Sequence, residues 1–470
     1  MTQKTYIPNI PETAKKRIVI IGGGFAGMKF VQKSLCRNFQ IVLLDKNNYH
    51  QFQPLLYQVA TAGLEPSAIA FPLRKVLQKE ENIHYRMAEV SEIFPENQEI
   101  ATNIGYLKYD FLILAMGTDT NFFGQENIQQ NALSMKSAAD AILIRNTILE
   151  NFERALLQTS PNEMAKYLNI ALVGGGPTGV ELAGALSEMK KYIFPKDYPE
   201  LDLSKMRIVL FESAPALLAV MSSASSQLSQ NYLENMGVEV HTSTRVLDYD
   251  GNTATLSDGT AFETKTLIWA AGVKANTIKG LEPESYGRGG RIMVDRENRV
   301  KGYSNIFALG DICLMETPKY PNGHPQLAQV AIQQAILLSK NLKRQANNQK
   351  MVSFEYINKG SMATVGRNKA VADMPGFKLS GFVAWALWSF VHLFTIMGVK
   401  NRFSIFLNWS WNYFTYDQSL RLLIKPKQAI KRIIHTETSM ESIEQIGKLT
   451  NTHLPVDIFN NLTSNQKYTS

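Results

Sequence analysis

Seven short apolar runs recur along the chain, and each ends in glycine or an acidic residue. They are RIVIIGGG at 17–24, QIVLLD at 40–45, FLILAMG at 111–117, NIALVGGG at 169–176, RIVLFE at 207–212, TLIWAAG at 266–272 and NIFALGD at 305–311. β-Branched runs of this kind are typical of parallel strands that are buried on both faces. With the helical stretches between them, they predict a doubly wound α/β fold. The segment 145–167 is expected to be a helix followed by a linker.

The first run leads into a glycine pattern that is typical of dinucleotide binding. Gly22, Gly24 and Gly27 follow the predicted strand and open a helical stretch, and Asp45 closes the next strand. The first glycine permits a tight turn, the second lets the backbone approach a pyrophosphate, and the third allows close packing of helix and strand. We therefore expect a pyrophosphate at the helix N-terminus and a ribose hydrogen-bonded to Asp45.

The same pattern recurs in the middle of the chain. Gly174, Gly176 and Gly179 follow the run NIALV, and Glu212 ends the run RIVLFE. An acid at this position accepts a free 2′-hydroxyl and repels a 2′-phosphate, so NADH is expected rather than NADPH. Two fingerprints imply two dinucleotides. Because hydride transfer needs a donor and an acceptor held face to face, the second dinucleotide should be a flavin.

With these features the chain resembles the flavoprotein reductases that have two dinucleotide-binding domains. NIFALGD, with Gly310 and Asp311, is similar to the element whose aspartate contacts the flavin ribityl and phosphate in that superfamily. The turn at 115–117 is similar to its Ala-Thr-Gly crossover turn, with Met116 in place of Thr, and AAG at 270–272 is the counterpart in the NADH half. The resemblance implies an NADH domain inserted in a split FAD domain.

Within that superfamily, residues 15–424 resemble the type II, non-proton-pumping NADH:quinone oxidoreductases. The similarity is carried by NNYHQFQPLLYQVATAGLEP at 47–66, VGGGPTGVELAGAL at 173–186 and PQLAQVAIQQA at 325–335. It implies NADH as the electron donor, non-covalently bound FAD as the cofactor and a membrane quinone as the acceptor.

The resemblance also implies a division of the chain. The FAD-binding domain is expected in two parts, 1–125 and 276–376, with the NADH-binding domain at 126–275 between them. A membrane-anchoring helical region is expected at 377–432, followed by a polar tail at 433–470.

Two sets of cofactor-binding residues follow from the same resemblance. FAD binding is expected of Gly22, Gly24, Phe25, Ala26, Gly27, Asp45, Lys46, Val90, Ala115, Gly117, Asp311 and Ala328. NADH binding is expected of Gly174, Gly176, Pro177, Thr178, Gly179, Glu181, Glu212, Ala271 and Gly272. For Phe25, a role in packing alone is the alternative.

Two glutamines are candidates for the quinone site. Gln329 and Gln333 are four residues apart, so on a helix they share one face. Taken alone, this pattern favours an ordinary polar helix face. The resemblance instead implies that both amides lie where the flavin meets the quinone, and a primary amide can donate to a quinone carbonyl without acquiring charge.

Two ionisable residues are further catalytic candidates. The resemblance implies that Glu181 lies close to the flavin and the nicotinamide and influences nucleotide binding or proton supply to the quinone. Its alternative is a first-turn glutamate that complements the helix N-terminus. Lys369 is a candidate for positioning the acceptor, and an ordinary surface lysine is the alternative.

The C-terminal region has the features of a membrane anchor. GFVAWALWSFVHLFTIMGV at 381–399 has no formal charge apart from His392, and as a helix it would reach about 28 Å, near the thickness of a bilayer core. The aromatic-rich segment 403–424 that follows is mixed in polarity and flanked by basic residues, which favours an interfacial helix on an anionic membrane surface over a span. A homodimer interface is the other use of such a segment.

Composition and charge exclude several classes of protein. The 470 residues suggest two or three domains, with 45% apolar and 19% charged residues. Residues 378–432 carry eight basic residues and one acid, so they account for +7 of the net charge of +8. No basic DNA-reading helix or RNA-binding aromatic motif is present, so nucleic acid is not expected as a partner. The N-terminus lacks an apolar signal-peptide core, and the cytoplasmic face of the inner membrane is the expected location.

The two cysteines, Cys36 and Cys313, do not form a paired motif. This spacing indicates neither a structural zinc site nor a redox dithiol, and no catalytic metal is expected. A sulfide:quinone oxidoreductase, the first alternative function, needs cysteines placed at the flavin. An NADH-binding redox sensor is the second alternative, but it would leave Gln329, Gln333 and the anchor without a purpose.

Overall fold

All seven apolar runs form β-strands, and these strands are divided between two five-stranded parallel sheets. The strand order in the first sheet is Ile306–Ala308, Phe111–Leu114, Lys16–Ile21, Phe39–Asp45 and Ile83–Met87. In the second sheet it is Leu133–Ser134, Thr266–Trp269, Ile170–Val173, Ile208–Phe211 and Glu239–His241. All pairings within the two sheets are parallel. The predicted doubly wound α/β fold is confirmed.

The computed structural model describes residues 4–34, 39–78, 81–416 and 420–423. Cys36 and the predicted polar tail at 433–470 lie outside these residues. The first sheet draws its strands from residues 16–114 and 306–308, and the second draws its strands from residues 133–269. This distribution is compatible with an NADH domain inserted in a split FAD domain, and the domain boundaries themselves stay predictions.

Helices connect the strands and cover both sheets. In chain order they are Phe25–Lys33, Leu56–Ala60, Pro66–Ile69, Leu73–Leu77, Glu126–Asn131, Ala138–Ala155, Pro161–Leu168, Pro177–Tyr192, Phe194–Asp197, Ser223–Asn235, Ala328–Ala346, Gly381–Thr395 and Val399–Thr415. The linker predicted within 145–167 is wrong in part. A second helix, Pro161–Leu168, forms there, because Pro161 occupies the first turn, where its missing N–H has no cost.

Shorter strands form small sheets around the two large ones. They are Tyr49–Gln51 with Ala70–Pro72, Val90–Phe94 with Glu99–Thr102 and Gly105–Lys108, Val246–Tyr249 with Thr253–Leu256 and Ala261–Glu263, and Ile292–Met293 with Cys313–Leu314. Strands Thr118–Thr120 and Val273–Ala275 pair as an antiparallel ribbon. Since one follows the first large sheet and the other follows the second, this ribbon joins the two halves of the chain.

A three-stranded meander leads into the C-terminal helices. It consists of Ser361–Gly366, Lys369–Met374 and Phe377–Ser380, and the helix Gly381–Thr395 begins immediately after it. The apolar run 381–399 is therefore not one continuous helix. Its helix ends at Thr395, and the next begins at Val399 after Gly398, whose φ of +84° favours glycine. Among the described residues, no helix is long and apolar enough to cross a bilayer.

Candidate functional site

The first glycine fingerprint forms the cradle that was predicted for FAD. Gly22 has a φ of +106°, and a Cβ added there would lie 2.3 Å from the carbonyl oxygen of Ala115. A Cβ on Gly27 would lie 1.9 Å from the oxygen of Gly22, so the helix Phe25–Lys33 can approach the strand only without a side chain. A Cβ on Gly24 would meet no described atom within 4 Å. The helix N-terminus is therefore open to a pyrophosphate.

The second fingerprint repeats this geometry. A Cβ on Gly174, whose φ is +113°, would lie 2.6 Å from the carbonyl oxygen of Ala270, and a Cβ on Gly179 would lie 1.9 Å from the oxygen of Gly174. Around Gly176 an added Cβ would again meet no described atom within 4 Å. Gly176 caps the helix Pro177–Tyr192, and Thr178 is exposed in its first turn.

The acid that follows each fingerprint makes the same pair of contacts. Asp45 accepts hydrogen bonds from the backbone N–H groups of Gly23 at 2.6 Å and Asn47 at 2.7 Å. Glu212 accepts from those of Gly175 at 2.5 Å and Ala214 at 2.6 Å. Each carboxylate thus shapes its glycine loop and lies at the end of the next strand, where an adenosine ribose binds in such cradles. The two fingerprints therefore share the same loop geometry and the same carboxylate contacts.

Aromatic residues pack against the glycine loop of the first cradle. The His50 ring lies with Nδ1 2.9 Å from the carbonyl oxygen of Gly23, so that N–H donates to the loop. Phe25 is half-buried and meets His50 and Phe52 edge to face, which fits the packing role considered for it. Burial raises the pKa of Asp45 above its usual value, although the two backbone N–H groups oppose that rise.

Both predicted crossover turns lie at the ribbon that joins the halves. The turn at Ala115 and Gly117 runs into the strand Thr118–Thr120, and the turn at Ala271 and Gly272 runs into its partner. The backbone N–H of Asn121 donates to the oxygen of Gly272 at 3.0 Å, which brings the two turns together. The sequence placed both turns at the right points in the chain, and their pairing appears only in the structure.

Asp311 is held by a contact that the sequence did not suggest. Thr118 donates its hydroxyl to the Asp311 carboxylate at 3.3 Å, and the Lys136 ammonium donates to the Thr118 hydroxyl oxygen at 2.7 Å. Burial raises the pKa of Asp311 and lowers the pKa of Lys136, while their opposite charges counter both effects. Lys136 lies two residues before the helix Ala138–Ala155 and brings a positive charge to Asp311, the residue expected at the flavin.

Glu181 lies about one turn into the helix Pro177–Tyr192, where its side chain contacts the C-terminal meander. The backbone N–H of Thr364 approaches the Glu181 carboxyl at 3.5 Å, and that of Arg367 donates to Glu188 at 2.6 Å. Burial raises the pKa of Glu181 to about 8, and it also raises the pKa of Glu188. Glu188 lies on the same helix face two turns later, and no motif identified it.

Gly184 allows this close approach. A Cβ added to Gly184 would lie 1.6 Å from the carbonyl oxygen of Val365, so the helix and the strand Ser361–Gly366 meet backbone to backbone. The VELAGAL segment contains the glycine, but its contact partner lies far along the chain.

Glu181 and Glu188 line a cavity of about 120 Å³ between the body of the protein and the two C-terminal helices. Its walls are aromatic and polar, with Tyr57, Gln58 and Arg367 on the body side and Trp385, Trp388, Trp409 and Tyr413 on the helices. Gln58 donates to the Tyr57 hydroxyl at 2.9 Å and accepts from the Trp409 indole at 2.7 Å.

Arg367 ties the last helix to the meander. Its guanidinium donates to the carbonyl oxygens of Asn412 at 2.7 Å and Tyr413 at 2.8 Å, and it stacks on the Tyr416 ring. Both carbonyls lie in the last turn of the helix Val399–Thr415, and the Asn412 oxygen also accepts from the backbone N–H of Tyr416. Sequence reasoning missed Arg367 because its partners follow it by about 45 residues.

Gln329 and Gln333 share a helix face, as predicted, but they do not line this cavity. Gln329 accepts from the N–H of Lys359 and donates to the oxygen of Gly360, both at 3.1 Å. Gln333 accepts from the N–H of Ile357 at 3.0 Å and donates to its oxygen at 2.9 Å. Both amides therefore hold the segment 357–360, which continues directly into the meander.

The remaining candidates are distributed around the two cradles. Ala328 begins the helix that carries the two glutamines. Ala26 lies against Gly310, because a Cβ added to Gly310 would be 3.6 Å from the Cβ of Ala26. Lys46 is exposed beside Asp45, and Val90 begins a strand of a small sheet. Lys369 is half-buried near Glu188, and its positive charge opposes the rise that burial causes in the pKa of Glu188. It does not contact Gln329 or Gln333 through any hydrogen bond of the described residues.

Cys313 is a free, buried thiol. Burial raises its pKa to about 11, so it stays protonated and packs, as expected. His392 is an interior ring that stacks on Trp388, and burial lowers its pKa to about 4. Within the described ranges, no three His, Cys, Asp or Glu side chains cluster as metal ligands would.

Comparison with known proteins places this geometry in a family. Residues 16–335 match the family described as pyridine nucleotide-disulphide oxidoreductase, and residues 358–415 match the NDH2 C-terminal domain. The type II NADH:quinone oxidoreductase Ndh of Mycobacterium tuberculosis is 35% identical over 455 residues, covering 94% of this chain and 96% of that protein. This chain belongs to the type II NADH:quinone oxidoreductases. The family predicted from the sequence motifs is confirmed.

Other type II NADH:quinone oxidoreductases agree with this assignment. The Staphylococcus aureus protein is 28% identical over 380 residues, covering 78% of this chain and 92% of that protein. In its fold the chain is similar to the structure of NDH2 from Plasmodium falciparum in complex with NADH, with a TM-score of 0.81 at 24% identity, covering 87% of this chain and 100% of that one. The predicted activity, NADH oxidation with quinone reduction through FAD, is confirmed at the level of the family.

The sulfide:quinone oxidoreductase alternative shares only the architecture. The Aquifex aeolicus sulfide:quinone oxidoreductase aligns with a TM-score of 0.66 at 19% identity, covering 87% of this chain and 96% of that one. The buried, protonated Cys313 offers no reactive thiol for sulfur chemistry.

Proposed function

We propose that this chain oxidises NADH at the second cradle, passes the electrons through FAD held in the first, and reduces a quinone at the cavity under the C-terminal helices. The observation that carries this proposal is the course of the helix Pro177–Tyr192. It begins at the open cradle capped by Gly176. Glu181 follows about one turn later and Glu188 about three turns later, and both line the cavity. One rigid element therefore connects the nucleotide side with the acceptor side.

In the NADH half, the protein's task is to bind and orient the dinucleotide. The backbone N–H groups after Gly176 face the pyrophosphate, and Glu212 accepts from the adenosine ribose. The negative charge of Glu212 excludes a 2′-phosphate, which favours NADH.

In the FAD half, Gly24 and the helix after it would hold the flavin pyrophosphate, with Asp45 at the adenosine ribose. Asp311, supported by Thr118 and Lys136, would hold the ribityl end. Bound FAD supplies the redox chemistry, because it accepts a hydride and releases two electrons.

At the cavity, Glu181 supplies a proton. The residue is 8% exposed, and burial raises the pKa of its carboxyl to about 8, so the carboxyl is mostly protonated at neutral pH. A quinone that gains two electrons needs protons, and this carboxyl lies where the acceptor would bind. Lys369 lowers the pKa of the neighbouring Glu188 carboxyl and so favours its charged form.

Gln329 and Gln333 act at the quinone site by positioning. Their amides secure segment 357–360, which leads into the strand that contacts Glu181.

An anaerobic stopped-flow experiment on the FAD-loaded protein tests this function. NADH should bleach the flavin absorbance, and a soluble short-chain quinone should restore it. Changing Gln329 and Gln333 together to leucine should slow the second step and leave the first unchanged. A flavin that NADH does not bleach contradicts the proposed function, and equal loss of both steps contradicts the role of the glutamines.

The C-terminal helices form the membrane-facing surface. Their outward faces expose large apolar side chains: Phe382, Val383, Phe390, Phe394, Val399, Phe403, Phe406, Leu407, Trp411 and Phe414. Exposed apolar side chains that cluster in this way mark an interaction or membrane surface, and Lys400 and Arg402 on the second helix complement an anionic surface on the cytoplasmic side of the membrane. Peripheral attachment would bring the cavity to the lipid, where quinones are dissolved.

Vesicle co-sedimentation tests the attachment. The protein should bind vesicles containing phosphatidylglycerol more tightly than vesicles of phosphatidylcholine alone, and Phe414→Ser should weaken binding. Leu157→Ser is the matched control, since Leu157 is 79% exposed on the body and Phe414 is 81% exposed on the helix. A vesicle-independent dimer in light scattering, with no vesicle binding, would favour the homodimer interface instead.

A further inference from the structure

Two neighbouring phenylalanines follow the ribbon strand Thr118–Thr120, and they are used differently. Phe122 is half-buried and stacks on Trp269 at a centroid separation of 6.0 Å. Phe123 is 63% exposed. A single exposed apolar side chain is ordinary on a protein surface, so exposure alone assigns no role to Phe123. Its backbone conformation and its position do.

The backbone of Phe123 lies in the left-handed region, with a φ of +52°. A bulky side chain is disfavoured there, and glycine, asparagine and aspartate are the residues that usually adopt this conformation. A local turn holds it, because the Phe123 N–H donates to the side-chain oxygen of Asn121 at 2.9 Å. Strain of this kind is concentrated at functional sites, which suggests that the ring serves a ligand.

The Phe123 ring lies over the crossover turn of the NADH half. A Cβ added to Gly272 would lie 3.0 Å from Cζ of Phe123. The backbone N–H of Asn121 donates to the Gly272 oxygen at 3.0 Å, and the Trp269 indole N–H donates to the Asn121 backbone oxygen at 2.9 Å. The loop is therefore fixed to the end of the strand Thr266–Trp269, and its ring has a defined place at that end.

The order of the strands identifies the part of the dinucleotide that reaches this turn. In the second sheet, Ile170–Val173 lies between Ile208–Phe211 and Thr266–Trp269. In the proposed function, Glu212 follows the first of these neighbours and holds the adenosine ribose, and the pyrophosphate lies at the glycine loop after the central strand. A dinucleotide extended across the carboxyl ends of the three strands brings its nicotinamide over the third, where the Phe123 ring lies.

We propose that Phe123 packs against the nicotinamide ring of bound NADH and orients it for hydride transfer. This inference rests on the proposed function, because it adds a substrate contact to the second cradle. An apolar ring suits the uncharged dihydronicotinamide, and burying the two rings against each other removes apolar surface from water. Phe123 takes no part in the transfer of the hydride itself.

Calorimetric titration of the FAD-loaded protein with NAD⁺ and with ADP-ribose tests this contact, because ADP-ribose lacks the nicotinamide base. Phe123→Asn should bind NAD⁺ about tenfold more weakly, the loss expected when roughly half of a phenylalanine side chain is no longer buried by the ligand. ADP-ribose should bind as it does to wild type. Phe377→Asn is the matched control, since Phe377 is 54% exposed on the meander, and it should leave both affinities unchanged.

Thermal unfolding without nucleotide separates a ligand contact from a structural role. Asparagine tolerates a φ of +52° better than phenylalanine does, so Phe123→Asn should unfold at or above the wild-type temperature. A phenylalanine that served packing alone would give the opposite result, a lower unfolding temperature and equal weakening of both ligands. That result overturns the inference, and so does wild-type affinity of Phe123→Asn for NAD⁺.

The same titrations distinguish this inference from the proposed function. If the second cradle does not bind the dinucleotide, Glu212→Arg leaves the affinities for NAD⁺ and ADP-ribose unchanged, and the proposed function has failed. If only the inference is wrong, Glu212→Arg weakens both ligands while Phe123→Asn weakens neither. In the stopped-flow assay, Phe123→Asn should slow flavin bleaching at subsaturating NADH and leave reoxidation by the quinone unchanged; slowing of both steps contradicts a contact with the nicotinamide.

Discussion

Gly184→Ala should separate the meander from the helix that carries Glu181. The added Cβ would lie 1.6 Å from the Val365 carbonyl oxygen, whereas ordinary contact begins at 3.4 Å. The difference, 3.4 − 1.6, means that the two backbones must part by ~1.8 Å. Because the backbone fixes the position of a Cβ, and the Val365 oxygen is itself a backbone atom, no side-chain rotation can relieve the clash.

The energetic cost can be bounded from two opposing terms. Overpacking of this kind costs about 1–3 kcal/mol, whereas alanine gains up to about 1 kcal/mol over glycine in helix propensity. Because the approach to a backbone oxygen is so close, the overpacking cost should lie at the upper end, and we expect a net loss of stability of about 2 kcal/mol. The contacts of Glu181 with Thr364 at 3.5 Å and of Glu188 with Arg367 at 2.6 Å should weaken as the strand moves.

Thermal unfolding and the two half-reactions measure these effects together. The variant should unfold at a lower temperature, reoxidise with quinone more slowly than wild type, and keep most of its rate of flavin reduction by NADH. Lys191→Ala is the control, because Lys191 is exposed on the same helix. A Gly184→Ala protein as stable as wild type, with normal reoxidation, would refute the reasoning from close packing.

Three further outcomes are expected from the structure. Quinone reduction should fall as pH rises through about 8, because Glu181 loses its proton there, and Glu181→Gln should lower the rate at neutral pH and remove that fall; a persisting alkaline limb would assign the titration elsewhere. Glu212→Arg should raise KM for NADH and relieve the exclusion of NADPH in steady-state assays, whereas an unchanged preference would refute its role. Lys136→Met removes the cation that supports Thr118 and Asp311, so FAD should bind about tenfold more weakly in fluorescence titrations; wild-type affinity would limit Lys136 to packing.

Local features carried most of the fold prediction. The strands follow from β-branched apolar runs, and both cradles follow from glycines at positions that require positive φ or close backbone approach, as at Gly22 and Gly174. Such requirements are expressed within a few neighbouring residues, so one sequence reveals them. The acids Asp45 and Glu212 were found for the same reason, since each ends the strand after its fingerprint.

The cavity proposed for the quinone depends on contacts between residues that are far apart in the sequence. Thr364 reaches Glu181 across 183 residues, and Arg367 reaches Glu188 across 179, so no spacing along the chain announces either contact. The break between the C-terminal helices and the clamping of segment 357–360 by Gln329 and Gln333 likewise arise from docking. The sequence determined two nucleotide cradles and their order, because backbone conformation is set locally. Tertiary structure decided which buried carboxyls and indoles share one cavity, because burial and partnership are properties of the assembled chain.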